Sequence, residues 1–376
     1  MLRRESDASE SQRRLTQAAV DALSSAGLLS MLTPRSLGGQ EVDPITYANV
    51  VEEVSRFDPS SGWTLVNPLL WAFLCSRLPD QGATEMLGND PRAWFTAAIA
   101  PPLTAVPVEG GYRVSGRGLF ASNCHYAAWF AATCAVTAES GRNANDADTT
   151  KPIWLYIAAE DCRILDTWHV MGLRGSGSDD FEVDDAFVPA HRSFALTTDF
   201  VAGSNFQGPL YRFSLMGMIT ASLPSVMLGI ARTAIDEVAA LAESKTSADS
   251  SSPLRDRPSA HASFAQAEAA YRSGRALLHE TLGRIWSATV AGGEISLTDR
   301  SDLLLAATNA SLQSAHATEL MHRLAGTTGI YQDQRLERCF RDMQVARQHR
   351  FYTEARYETF GQMYFGKQPD YSLVLL

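Results

Sequence analysis

The chain has little of what announces a chemistry. Its five cysteines, Cys75, Cys124, Cys134, Cys162 and Cys339, form no CxxC pair and no regular framework. That argues against a disulfide scaffold or a zinc site and for free thiols in a reducing compartment, with the cytoplasm as the default. No GxxxxGKS/T phosphate loop, HExxH or GxSxG motif is present, so the chemistries built on them lose support. The glycine-rich stretch GLRGSGSDD at 172–180 does not fit GxGxxG and falls between β-type runs, which leaves no Rossmann-type nicotinamide site. Eight histidines occur without metal-ligand spacing, so no metal is expected. Lysine and arginine number 32 against 42 acids, a net charge of −10, and no basic cluster is interleaved with aromatics. Nucleic acid is therefore excluded as a partner. The N-terminus begins with charge and lacks an apolar signal-peptide core, and no later run approaches a membrane span, so neither export nor a membrane anchor is expected.

What remains is a 376-residue chain, 45% apolar and 20% charged, long enough for a large core and two or three domains. Apolar positions at helical spacing predict one helix from Ser9 to Leu29 stopped by Gly27, another from Pro44 to about Phe57, and a third from Ser60 through Leu74. From Ala93 the character changes. AWFTAAIA, GYRVSGRGLF, AAWFAATCAV, PIWLYIA and FEVDDAFVP are β-type runs separated by Pro, Gly, Asn and Asp. After the loop at 203–210, helical periodicity returns through Val226, Ile230, Ala234 and Val238 and lasts to the end. The polar segment SKTSADSSSPLRDRPS, Ser244 to Ser259, reads as a solvated connection between two long helices. The expected division is an N-terminal α-helical domain over 1–92, a β domain over 93–205 and a helical bundle over 206–376.

Five stretches then acquire meaning together: PRSLGGQEVD at 34–43, DPSSGWTL at 58–65, VSGRGLFASNC at 114–124, WHVMGLRGSGSDDFEVDDAFVP at 168–189 and LAGTTGIYQDQRLERCFRD at 324–342. In this order they resemble the acyl-CoA dehydrogenase fold over nearly the whole chain. The resemblance implies an α+β architecture of N-terminal helices, a central β-barrel-like or sandwich domain and a C-terminal four-helix bundle, with flavin between β domain and bundle. Many dehydrogenases of this fold place a glutamate base shortly after the RD dyad. Counting from Arg341 and Asp342, that position is Arg350, preceded by His349. Arginine cannot act as that base. RD followed by QH, with GPLYR at 208–212, instead resembles the flavin-dependent monooxygenases of this fold, the oxygenase components of two-component systems.

That resemblance implies reduced FMN or FAD delivered by a separate reductase, O2 as co-substrate, a C4a-hydroperoxyflavin, and transfer of one oxygen atom to a small aromatic or biosynthetic intermediate. It also implies a homotetramer. His349, seven residues beyond Asp342 and so two turns along the same helix face, would handle the substrate's proton as a base tuned near neutrality. Phe120 would pack on the flavin ring while Ser122, on the same strand face, bonds its polar edge beside Asn123. Arg174, Ser176 and Ser178 would hold flavin phosphate or ring oxygens, and Gly326, Thr327 and Thr328 would approach the flavin of a neighbouring subunit. Trp94 and His125 are candidates to meet substrate. Arg341 and Asp342 read as structural. A tryptophan often stands where this chain has Gly118, which implies altered packing or an enlarged pocket at the flavin's flank. Two alternatives stay open. One is an acyl-CoA dehydrogenase or oxidase with a base drawn from Glu237, Glu243 or Glu280; the other is a silent member of the fold acting as a binding module.

Overall fold

The computed structural model describes residues 1–137, 152–197, 200–246 and 252–376. Five helices come first: α1 (Leu2–Ser11), α2 (Gln17–Ser25), α3 (Pro44–Phe57), α4 (Pro59–Leu74) and α5 (Asp80–Leu87). The single helix expected over Ser9–Leu29 is therefore two. The break falls where Arg13 takes a left-handed φ of 58° and Thr16 caps α2 by accepting from the Ala19 N–H. A capping threonine and a local turn outcompete helical spacing there. Gly27 does close α2, at φ 73°. Asp43 and Asp58 cap α3 and α4, each followed by a proline at the first helical position.

Strands follow: β1 (Phe95–Val108), β2 (Gly111–Gly118), β3 (Trp129–Val136), β4 (Ile153–Ala158), β5 (Cys162–Leu165), β6 (Asp180–Pro189) and β7 (Ser193–Ala195). They form one mixed sheet in the order β5-β6-β2-β1-β3-β4-β7. β1 pairs with β3 in parallel and the other pairings are antiparallel. One face carries its own core of Leu103, Val114, Phe130, Leu155, Phe181 and Val188. Trp154 and Tyr156 belong instead to the large helical core, as alternation along a strand requires.

The chain then returns to helix as α6 (Leu215–Ala242), α7 (Pro258–Val290), α8 (Leu297–Ala325), α9 (Arg335–Ala346) and α10 (Ala355–Tyr364). α6 packs against α3, α7 and α8, so it is buried on nearly every side. One sequence expectation needs correction here. The segment Leu215–Ser244 is long and apolar enough to cross a membrane, but 94% of its apolar window is buried inside the protein. Residues 247–251 of the polar connection lie outside the described residues. Its described end forms a short turn over Leu254–Asp256 before α7.

The stretch 341–361 is not one helix either. α9 stops at Ala346, and His349 has an extended backbone (φ −65°, ψ 124°) at the start of a short 3-10 turn, Arg350–Tyr352. Phe351 and Tyr352 are buried, and the Tyr352 hydroxyl donates to the Ile219 carbonyl at 2.7 Å. Seating Tyr352 against α6 while burying Phe351 requires the chain to turn, which overrides helix propensity.

Candidate active site

Three serine hydroxyls form a row. Ser176 Oγ and Ser178 Oγ are 2.7 Å apart, and Ser178 Oγ and Ser122 Oγ are also 2.7 Å apart. All three serines are buried. From α4, Trp63 Nε1 donates to Ser122 Oγ at 3.1 Å. The Ser122 carbonyl accepts from Thr96 Oγ1 at 2.7 Å and from Asn67 Nδ2 at 3.4 Å. Trp63 also reaches the other side of the site, where its ring meets His349 edge-to-face at 5.8 Å. Helix α4 thus ties the hydroxyl row to the histidine.

Ser122 and Phe120 are not on one strand face. β2 ends at Gly118, and the chain turns through Phe120 and Asn123, both at φ 59°. Leu173, before the Arg174–Ser176 turn, is left-handed too, at φ 48°. Such conformations cost about 1–2 kcal/mol each for a residue with a Cβ, and they persist because the surroundings over-determine them. Asn123 N donates to the Ser176 carbonyl at 2.9 Å, and its Nδ2 donates to the Phe95 carbonyl at 2.8 Å. Leu173 N donates to Asp342 Oδ1 at 2.6 Å. Arg341 grips the same loop by donating to the Met171 carbonyl at 2.6 Å, while also pairing with Glu10 and Glu337. A Cβ on Gly172 would lie 2.2 Å from the Arg341 carbonyl oxygen, so only glycine fits that approach. Arg341 and Asp342 are structural, as the sequence suggests. Burial lifts the Asp342 carboxyl to about 7.

His349 is half-buried among Trp63, Phe351 and Tyr352, with Phe351 edge-on at 4.6 Å. Desolvation, with the Arg350 charge beside it, pushes its pKa down to about 4. The base poised near neutrality expected from the sequence is not what this environment makes. His349 is neutral at pH 7, and Phe351 N donates to its Nδ1 at 3.4 Å, which leaves the proton on Nε2.

The remaining candidates disperse. His125 Nε2 is 2.8 Å from Asp179 Oδ2, and Asp179 Oδ1 accepts from the N–H groups of Thr167 and Trp168, so His125 braces the loop. Trp94 packs on Tyr126 at 5.7 Å. Gly326, at φ 55°, closes α8, and Lys245 Nζ donates to Thr328 Oγ1 at 2.6 Å, so the 326–328 turn is a helix-ending cap in this chain. Arg174 faces a cleft of about 370 Å³ lined by Asp7, Glu10, Glu337 and Arg341, a mixed wall that does not single out a phosphate. Gly118 opens no pocket. A Cβ there would lie 2.4 Å from the Phe181 ring, which fills the flank. The three carboxylates considered as a dehydrogenase base are spent elsewhere: Glu237 pairs with Arg335 at 3.2 Å, Glu243 with Arg255 at 2.7 Å and Glu280 with Arg284 at 3.6 Å.

Sequence reasoning missed Trp63, Asn67 and Thr96. Trp63 lies in the quoted DPSSGWTL, and Asn67 follows it by one helical turn on the same face, a spacing that pairs them.

A reduced flavin fits this surface. Phe120 leaves 66% of its area exposed and meets Trp168 edge-on at 6.4 Å, giving a flat ring apolar area to cover. The Ser122 and Ser178 hydroxyls follow it in the same turn and the loop opposite, and Asn123 Oδ1 is buried without a partner. These groups can serve the polar edge of an isoalloxazine.

Comparison with known proteins agrees. Residues 2–74 match the acyl-CoA dehydrogenase N-terminal domain and 221–354 its C-terminal domain. The chain is 33% identical over 360 residues to the indole-3-acetate monooxygenase of Pseudomonas putida, covering 95% of this chain and 89% of that one. It is 28% identical to the FADH(2)-dependent resorcinol hydroxylase, oxygenase component, of a Rhizobium species, covering 90% and 85%. The fold superposes on XiaF from a Streptomyces species, solved with FADH2 and glycerol, with a TM-score of 0.91 at 22% identity over 98% and 93% of the chains. With its dehydrogenase bases paired away and a neutral histidine at the site, the chain belongs to the oxygenase components of two-component, reduced-flavin-dependent monooxygenases built on the acyl-CoA dehydrogenase fold.

Proposed function

We propose that this oxygenase hydroxylates an aromatic substrate held beside His349. The observation that carries the reading is the shell of that residue. A neutral imidazole is walled by Trp63, Phe351 and Tyr352, and Trp63 joins it to the hydroxyl row. Aromatic walls suit an arene, and a dry site strengthens each polar contact inside it. The names of two relatives, acting on indole-3-acetate and resorcinol, support the same class. Reduced flavin, FMN or FAD, supplies the two electrons by which O2 yields one inserted oxygen atom and one water. A separate reductase is its source.

In this reading Ser122 and Ser178 hold the polar edge of the flavin and Phe120 covers its face. Trp63 fixes the Ser122 hydroxyl. His349 keeps its proton on Nε2 and donates it as a hydrogen bond to oxygen on the substrate side, a role open to a neutral imidazole at any pH above about 4. The homotetramer is supported by exposed apolar side chains on the bundle, Ile330, Tyr331, Tyr364 and Phe365, each at least 63% exposed. Gly326 to Thr328 would then meet a neighbour's flavin. Four of the five free cysteines are buried, which suits a reducing cytoplasm.

The test supplies purified protein with chemically reduced flavin, O2 and a panel of phenols and indoles. Hydroxylated product in proportion to flavin consumed is expected. Peroxide release at a rate no arene changes would overturn the reading.

A further inference from the structure

Beyond His349 lies a second polar group that the hydroxyl row does not serve. His349 meets Phe351 at 4.6 Å, Phe351 meets Tyr371 at 6.3 Å, and the Arg356 guanidinium lies over the Tyr371 ring, 4.1 Å from its centroid. Arg356 is in the first turn of α10, and Tyr371 belongs to the segment that follows it. Nε and Nη1 of Arg356 and the hydroxyl of Tyr371 are all buried, and none has a hydrogen-bond partner. The nearest acids in sequence do not answer them. Asp370 accepts from Thr359 Oγ1 at 2.6 Å, and Glu354 and Glu358 point to exposed surface. Arg350, exposed, adds a second positive charge felt at the Tyr371 hydroxyl.

Buried donors without acceptors are costly, the more so on a charged group. Stacking on Tyr371 recovers part of that through the ring's π-face but leaves the N–H groups unanswered. A fold retains such groups where a partner supplies the acceptors, and a guanidinium beside a phenol is a matched receptor for a carboxylate, which accepts two guanidinium bonds as a fork. His349, being neutral, does not compete for the anion.

We propose that Arg356, with the Tyr371 hydroxyl, receives a carboxylate on the substrate, so that the molecule oxygenated beside His349 is an aromatic acid. This rests on the aromatic reading above. Tyr371, whose ring lies over the Arg356 guanidinium, opens the short turn Ser372–Leu375 at the end of the chain.

Matched pairs test this on the full chain: indole-3-acetate against indole-3-acetamide, and phenylacetate against phenylacetamide. Binding is read by calorimetry without flavin, and KM and kcat with reduced flavin and O2. At least one acid is expected to bind about 10- to 100-fold more tightly than its amide, the worth of a charge-assisted pair. Arg356→Gln should erase that preference by weakening the acid far more than the amide, a difference between paired ligands that a general change in stability would not produce. Arg356→Lys should restore part of it, and Tyr371→Phe should cost a few-fold. Equal binding of acid and amide, failure of both acids to bind, or a preference that survives Arg356→Gln overturns the receptor. Hydroxylation of neutral arenes without preference for acids sinks the receptor and leaves the aromatic reading standing. Tight, Arg356-dependent acid binding with no arene ever oxygenated does the reverse.

Discussion

The two walls of the site are built on opposite plans. On the serine wall the hydroxyls are satisfied by one another or by Trp63, the loop beneath is pinned by Asp179, Arg341 and Asp342, and one neutral acceptor, Asn123 Oδ1, is left without a partner. On the histidine wall, His349 is desolvated, and Arg356 and Tyr371 keep buried polar atoms with no partner. A wired wall is preorganised and costs nothing to reorder when its ligand arrives. An unwired one is complete only with a ligand in place. The contrast suits a cofactor common to the family on one side and a substrate particular to this chain on the other.

Breaking the histidine wall should have the largest effect. His349→Ala is expected to keep the fold and flavin binding but lower hydroxylation by about 10²- to 10⁴-fold, the usual worth of a positioned proton-handling group. Product yield against flavin consumed reads it, and wild-type turnover would remove His349 from the chemistry.

The next contrast is between glycines. Gly172→Ala forces a Cβ to within 2.2 Å of a backbone oxygen and should cost about 1–3 kcal/mol of stability, together with weaker flavin binding. Gly361, inside α10, has nothing within 4 Å of its missing Cβ. Gly361→Ala should stabilise by about 0.5–1 kcal/mol. Urea unfolding of both variants measures the difference, and equal effects would mean that the two walls are equally tolerant.

Trp63→Phe keeps a ring against His349 and removes only the donor to Ser122. A loss of about 0.5–1.5 kcal/mol is expected, seen as weaker binding of reduced flavin in a titration. Unchanged affinity would detach Trp63 from the serine wall.

In the wild-type chain the net effect of pH is small because two opposite ones cancel. The His349 pKa falls from 6.5 to about 4 on folding, so its contribution to stability is present above 6.5 and is lost as pH drops toward 4. The Asp342 pKa rises from 3.8 to about 7, so its contribution is present below 3.8 and is lost as pH climbs through 7. Between pH 4 and 6.5 the two slopes oppose. Asp342→Asn should unmask stability that rises with pH, and His349→Gln stability that falls. Parallel curves for both variants would contradict these assignments.

Much of this was legible in the sequence. Pro44 to Phe57 and the run ending at Leu74 are helices to within a residue, and the five β-type runs are all strands. Capping aspartates followed by proline, and alternating apolar residues, are local signals that tertiary structure reinforces. Ser122, Asn123, Ser176 and Ser178, picked out from two separate motifs, are hydrogen-bonded to one another in the fold. What the sequence hid was set by distant partners. The left-handed turns at Phe120, Asn123 and Leu173 depend on contacts from Asp180, Ser176 and Asp342. The break before His349 depends on seating Tyr352 against α6. The desolvation of His349 follows from that turn, and no spacing rule encodes it.

The backbone contact between Gly172 and Arg341 has one more consequence. It makes the 171–173 loop and α9 a single mechanical part, held by backbone approach at Gly172 and by the Arg341 and Asp342 side chains on either side of it. The chain from His349 onward takes no part in that joint, so substitutions among its exposed residues can change what lies beside His349 without loosening the loop.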